Sequence, residues 1–407
     1  MTTPAATETP SEAISLLTAE ALREGAARLL DLARQTALAG IRLDEGKLEP
    51  LAQQVASILR AAAPEAGLAP HTLWRLAEAG GEDRWGMIAG ARAFPDVRMM
   101  GRAAFDAAIT AVLMTPPADP GWQFDDPFTG ERLAGAEGMT AATLSAFASG
   151  LFSAVPADPI RADAHALIRV ETEELARALQ VDEGHAATLT ARLHRLGELA
   201  GMRPDLFARD DEPRPGGLFD VLFDEGQEDR SLSLARIFAL VMEGLVPLWE
   251  GTESLNGVPL GDTVRVPALA GSMAGEPLLP LHERARFLAL SLVEPLAWAG
   301  IAPLDLDALG GSTDTDHVQL MLSGGVVSFT LQDGDARVQA AILRGLAGTL
   351  TLELANKVRE VLELEAEDLP LTCIEEAGTL PLAAMLLREN PAAVEDFGKI
   401  AAAGTVF

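Results

Sequence analysis

Apolar residues recur every three to four positions along most of the chain, the spacing that places them on one side of an α-helix. Leu22, Ala26, Leu29, Leu30 and Ala33 form one such stripe, and Leu48, Val55, Ile58 and Leu59 form the next. The same period runs through 102–114, 140–152, 171–180, 187–200, 232–245, 283–298 and 336–364. A mainly α, multi-helix globular fold is predicted. One stretch reads differently: 317–322 and 326–331 alternate apolar and polar residues around Ser323-Gly324-Gly325, which predicts a small β-hairpin. Clusters of Pro, Gly and Asp at 115–127, 209–217 and 250–262 favour turns and mark the seams. They divide the chain into a disordered start (1–14), an N-terminal helical part (15–125), a middle helical part (126–250) and a C-terminal α+β part (251–407). These form one compact unit or two intimately packed domains.

The chain has 407 residues, enough for a full core, and its 48% hydrophobic and 22% charged residues are those of a globular protein. Charge changes the picture more. With 31 basic against 60 acidic residues the net charge is −29, a field that repels phosphate backbones and anionic lipid headgroups. Neither nucleic acid nor a membrane surface is an expected partner; a small molecule is. Lysine occurs only at positions 47, 357 and 399, so the positive charge is almost all arginine, whose planar fork can hold one anion locally. A single cysteine, Cys373, permits no internal disulfide, and the start lacks a basic and then apolar leader pattern. Glu294, Pro295 and Pro303 interrupt the most apolar stretch, 287–304, which reads as a buried helix and its exit. A cytoplasmic location is expected.

No two glycines are two positions apart, so the dinucleotide-binding glycine turn is absent, and so is the lysine-ended phosphate loop. The six histidines, at 71, 165, 185, 194, 282 and 317, include no pair one helical turn apart. Asp314-Thr315-Asp316-His317 has the composition of a cation loop, although a solvated acidic loop is the simpler reading. No metal and no cofactor are expected.

Several segments mix Trp, Arg and carboxylates with Gly, a composition suited to stacking a planar ligand and binding its polar edge. They are His71-Thr72-Leu73-Trp74-Arg75, Gly80-Gly81-Glu82-Asp83-Arg84-Trp85, Asp126-Pro127-Phe128-Thr129-Gly130 with Glu137-Gly138, Arg214-Pro215-Gly216-Gly217-Leu218, Gly257-Val258-Pro259-Leu260-Gly261-Asp262, Leu279-Pro280-Leu281-His282 and Gly404-Thr405-Val406-Phe407. In that order they resemble the uracil-catabolism family of fungi and bacteria, long described as a domain of unknown function and often labelled a uracil phosphoribosyltransferase. The chain departs from the family pattern at Val264-Arg265-Val266, at Leu281-His282-Glu283, near Gly324-Gly325 and at Leu380, and it contains no tyrosine. These departures remove aromatic and cationic side chains.

The resemblance implies pyrimidine degradation through a ribosylated intermediate, and so chemistry at an N-glycosidic bond. Such cleavage needs a carboxylate facing an oxocarbenium-like state and a group assisting the leaving base. Asp262, after the tight Gly261 turn, and His282, at the start of a predicted helix whose dipole favours neutral imidazole, are the candidate pair. Glu137 is a second candidate carboxylate, with a solvated helix-start glutamate as the alternative. Arg75 and Arg84 are expected to grip a phosphate or base edge while Trp74 and Trp85 stack, against the alternative of an internal arginine–carboxylate network. Trp74, Arg75, Arg84, Asp262 and His282 are expected to line one pocket. The run Leu371-Thr372-Cys373-Ile374-Glu375-Glu376-Ala377-Gly378-Thr379 offers an alternative phosphoribosyl loop, with Glu375, Glu376, Gly378 and Thr379 as its binding residues. Hydrolase-like cleavage is the first expectation, phosphoribosyl transfer the second, and a non-catalytic ligand-binding relative the third.

Overall fold

The computed structural model describes residues 10–62, 67–208, 212–249, 251, 253–271 and 277–404. The described chain is mainly α, and its strands form only two-stranded sheets. Two compact units emerge, both discontinuous: one comprises 1–70, 249–283 and 306–407, the other 71–248 and 284–305. Of the expected disordered start, residues 1–9 lie outside the described residues, while Pro10–Ser15 is a short helix. Thr405, Val406 and Phe407 also lie outside them.

The first unit is organised on the helix Ala336–Leu362, capped at its start by the Asp335 side chain and stopped by Glu363 in the left-handed region. It packs against Ala19–Arg34, Leu48–Ala62 and Thr315–Ser323. Leu343, Leu346, Leu350, Leu354 and Val358 are therefore buried among Leu29, Leu51, Val55, Val318 and Met321. Glycine allows the closest approaches. A Cβ at Gly345 would meet Leu29, and Cβ atoms at Gly348 and Gly311 would each meet the other residue's backbone carbonyl. The loop Gly310–Asp314 is thus pressed against the middle of the long helix.

The predicted hairpin is corrected. Thr315–Ser323 is a helix because the Asp314 carboxylate accepts the His317 amide at 2.7 Å as an N-cap, and Val318, Met321 and Leu322 then share one buried side. Gly324 and Gly325, the latter at φ 75°, end that helix instead of turning a hairpin. Val327–Phe329 does form a strand, but it pairs antiparallel with Ile41–Leu43, placing Ile41 opposite Phe329.

The second unit packs helices Val97–Leu113, Gly135–Ala148, Glu183–Met202 and Gly217–Gly226 around residues such as Phe105, Phe147, Leu193 and Phe219. The helix Glu283–Trp298, whose residues from Arg284 onward belong to this unit, contains Pro295. Pro295 has no amide for the Ser291 carbonyl one turn earlier. That carbonyl instead accepts the Trp74 indole N–H at 2.7 Å, and the Ser291 hydroxyl oxygen accepts the Leu73 amide at 2.9 Å. Trp74 is thereby committed to the interior of this unit.

The Gly311–Gly348 approach generates a direct expectation. Gly311→Ala would force apart two backbones and should destabilise the protein by about 1–3 kcal/mol, the usual scale for overpacking. A urea midpoint equal to the parent's would show that the contact yields freely.

Candidate functional site

Local constraints bring the site together in the first unit. Gly261, at φ 55°, turns the chain into the strand Thr263–Arg265, which pairs with Leu278–Pro280. The turn is closed by the Thr263 amide on the Gly261 carbonyl at 2.8 Å and the Thr263 hydroxyl on the Leu260 carbonyl at 2.7 Å. Across the hairpin, the Asp262 carbonyl accepts the Leu281 amide at 2.9 Å and the His282 amide at 3.3 Å. Asp262 and His282 are therefore neighbours by backbone geometry.

The Asp262 side chain is 5% exposed and sits in the fork of Arg344, with Nη2 at 2.6 Å and Nη1 at 3.3 Å. Arg344 also donates Nε–H to the Thr313 carbonyl at 3.0 Å. Glu283 holds the neighbouring loop: it accepts the Thr313 amide at 2.5 Å and the Thr313 hydroxyl at 2.8 Å, and its other oxygen lies 2.9 Å from the Ser312 hydroxyl. The Ser312 amide donates to Glu375 Oε1 at 2.8 Å, and the Ser312 hydroxyl also lies 2.8 Å from Asp314. His317 completes the array, with Nδ1 2.9 Å from Asp314 and Nε2 3.0 Å from the Thr379 hydroxyl.

Electrostatics assign the protons. Burial pushes the His282 imidazole from its ordinary 6.5 down to about 4, and Arg344 adds to this, against the opposing pull of Asp262 and the Leu16 carbonyl. His282 Nε2 lies 3.2 Å from that carbonyl, which can only accept, so Nε2 carries the proton and Nδ1 is the acceptor nitrogen. Its neutrality comes chiefly from burial rather than from a helix dipole. Burial alone would raise the Asp314 carboxyl, yet the charge and hydrogen bonds of His317 hold it far below the usual carboxylate range. For Arg344, burial works against the charge, but Asp262, Glu283 and Asp314 more than restore it. The arrangement supplies a carboxylate held in a fixed direction by Arg344 beside a neutral imidazole.

Among the described residues no group of three or more His, Cys, Asp or Glu is placed to hold a metal ion. Asp314 and His317, in the segment read from sequence as a solvated acidic loop with a cation loop's composition, bind each other and cap a helix. No helix of the described chain is long and apolar enough to cross a membrane.

A family model described as a protein of unknown function (DUF1688) matches residues 15–407. The chain belongs to this family. Protein urg3 of Schizosaccharomyces pombe (strain 972 / ATCC 24843) is similar to it, with 25% identity over 390 residues covering 92% of each chain.

Within this family member, the residues singled out from sequence divide between the units. Gly261, Asp262, His282, Glu375, Glu376, Gly378 and Thr379 belong to the first; Trp74, Arg75, Arg84, Trp85 and Glu137 belong to the second. Glu375 and Thr379 join the Asp262 unit's polar array, but not as a phosphoribosyl loop. Residues Glu375–Thr379 form a π-helical turn within a helical run from Leu371 to Glu389, so the expected loop is corrected to helix. Backbone amides in such a turn are directed along the helix axis instead of cradling a phosphate.

Arg75 and Arg84 follow the internal-network alternative. Arg75 pairs with Glu78 at 2.7 Å and Glu294 at 2.9 Å, while Arg84 pairs with Asp126 at 2.8 Å and donates to the Ala77 and Ala79 carbonyls. Trp74 packs on Trp85 and Trp298, with ring centres 5.4 and 5.1 Å away. Glu137 is exposed in the first turn of Gly135–Ala148. Sequence reasoning missed Arg344, Glu283, Ser312, Thr313 and, as a site element, the Asp314–His317 pair. One signal was available: Ser-Thr-Asp directly after Gly310-Gly311.

The His282 shift fixes a pH dependence. Its folded pKa lies below its unfolded one, so the unfolded chain takes up the proton first, and the stability due to neutral His282 is full above about 6.5 and lost as pH falls toward 4. The span corresponds to roughly 3 kcal/mol. Asp314, whose pKa is depressed, contributes stability that is lost only below its ordinary 3.8, outside this window. His282→Asn, suited to the local φ of 46°, should flatten urea stability between pH 6.5 and 4 relative to the parent; equal slopes would show that His282 is not held neutral.

Proposed function

We propose that the protein cleaves the N-glycosidic bond of a ribosylated uracil or ureido compound in pyrimidine degradation, with Asp262 as the stabilising carboxylate. The observation that carries this reading is Asp262 itself, buried and held in direction by the Arg344 fork beside neutral His282. A positive charge developing on the ribose carbon as its bond to nitrogen breaks is stabilised most by a carboxylate that needs no reorganisation. His282 Nδ1 is the side of the ring able to take a proton from the water that then adds to that carbon; the nitrogen leaves with its bonding pair and takes up a proton from solvent, to which His282 afterwards returns its own. The motif order that resembles the uracil-catabolism family supplies the substrate class, and a small pyrimidine-derived molecule is the proposed partner.

The phosphoribosyl-transfer reading has lost its loop, because Glu375–Thr379 is helical. The charge that Arg75 and Arg84 would offer a phosphate is already balanced by Glu78, Glu294 and Asp126. The test uses uridine 5′-monophosphate, ribosylurea 5′-phosphate, their unphosphorylated forms, and uracil with phosphoribosyl pyrophosphate, following base, urea and pyrophosphate. Base or urea release is expected. Asp262→Asn should lower turnover by more than about 100-fold with binding largely retained. Because it leaves Arg344 without its counter-charge, its fold is checked by circular dichroism first. Exposed Glu137→Gln should leave turnover unchanged. Pyrophosphate from the last mixture alone would make the protein a transferase, and ligand-induced stabilisation without turnover would make it a binding protein.

A further inference from the structure

We infer that the second unit carries its own binding site for a small, neutral, aromatic molecule bearing a carbonyl oxygen, in an apolar cleft whose one buried donor is the Arg84 guanidinium. The cleft, about 470 Å3, is bordered by the helices Arg84–Arg92 and Gly135–Ala148 and lined by Met87, Leu144, Ile160 and Phe128. This volume falls within the range of small-molecule pockets. Phe128 is 59% exposed, a large apolar ring left toward solvent at a place where its own unit does not bury it.

Arg84 also lines the cleft and is itself buried. Its Nε is bonded to Asp126 Oδ2, and its Nη1 to the Ala77 and Ala79 carbonyls at 3.0 and 2.6 Å. Nη2 is buried with no hydrogen-bond partner. A buried donor without an acceptor is unfavourable, and an acceptor supplied by a ligand removes that penalty. The chemistry of the acceptor follows from charge. Asp126 already balances Arg84, Arg92 in the same wall is paired with Asp158 at 3.0 Å, and the chain carries −29, so an anionic ligand has no uncompensated cation to meet. A neutral carbonyl oxygen on a ring that covers Leu144 and Ile160 satisfies both the donor and the apolar walls. The site uses none of the residues around Asp262 and stands whether or not the glycosidic reading holds.

The test is saturation-transfer NMR on the full chain with three probes of similar ring size: acetanilide, benzoate and benzylamine. Acetanilide should bind, benzoate should bind more weakly, and benzylamine, which offers only a cationic donor, should not bind. Ser145→Trp fills the cleft from the Gly135–Ala148 helix without touching Arg84, and should abolish acetanilide binding while the thermal midpoint is unchanged. Ala148→Trp serves the same purpose if Ser145→Trp fails to fold. Acetanilide binding that survives in a folded filled variant, no binding to the parent, or benzoate binding as tightly as acetanilide would overturn the proposal.

Discussion

The first unit depends on one interaction, the buried pair of Asp262 and Arg344. Taking two ions out of water costs several kcal/mol each, and a close pair offsets this only when its geometry is good and its remaining hydrogen-bonding groups are satisfied. Both conditions are met by backbone. The Asp262 carbonyl gathers the Leu281 and His282 amides, and Arg344 Nε is taken by the Thr313 carbonyl. The pair thus ties the Gly261 turn, the start of the Glu283 helix and the Gly310–Asp314 loop to the middle of the Ala336–Leu362 helix. Packed apolar side chains would hold such a junction about as well, so stability alone gives no reason for the charges. A fixed carboxylate beside a neutral imidazole gives one.

The same rule of internal pairing governs the acids of the second unit. Asp106, fully buried, accepts from Arg214, from the Ala162 amide at 3.0 Å and from the Gly216 amide at 2.5 Å. Asp220 is shared by Arg98 and Arg102, and Asp126 takes both Arg84 and the Phe128 amide. Arginine suits this work because its planar fork meets a carboxylate and a nearby carbonyl together, which the single ammonium of lysine does less well. In a chain with nearly twice as many acids as bases, an arginine is first of all the counter-charge of a buried neighbour. Reading Arg75 and Arg84 as a phosphate grip treated them as surplus when they were committed.

Helices were legible because burial of one stripe per turn leaves its period in the sequence, as in Leu22 through Ala33 and Leu48 through Leu59. The hairpin reading failed where two signals competed: the alternation over 317–322 outweighed an N-cap aspartate at 314 that fixes the same residues as a helix. Asp262 and His282 were singled out because a glycine turn and a helix start mark them locally, and the backbone does make them neighbours. Arg344 was not, since it lies 82 residues from its partner and nothing beside it in the chain distinguishes a buried ion pair from a surface arginine. The discontinuous units were hidden for the same reason: periodicity records which side of an element is buried, not which element buries it.

The run Glu375-Glu376-Ala377-Gly378-Thr379 shows how one composition can arise from a different physical cause. Acids followed by small residues suit a phosphate loop, yet here Glu375, Gly378 and Thr379 answer the packing demands of a helix. Glu375 is buried and accepts the Ser312 amide, and Thr379, four residues on and so on the same side, meets His317 Nε2. Gly378 is small because a Cβ there would meet Val55 Cγ1 at 2.7 Å, where the Leu48–Ala62 helix crosses. A π-helical turn has poorer hydrogen bonding than the α-helix around it, and it persists where the changed register places side chains that a regular helix would misdirect. In this chain it sets Glu375 under Ser312 and Thr379 under His317 at once, which fixes the loop that receives Arg344 and, through it, the direction of Asp262.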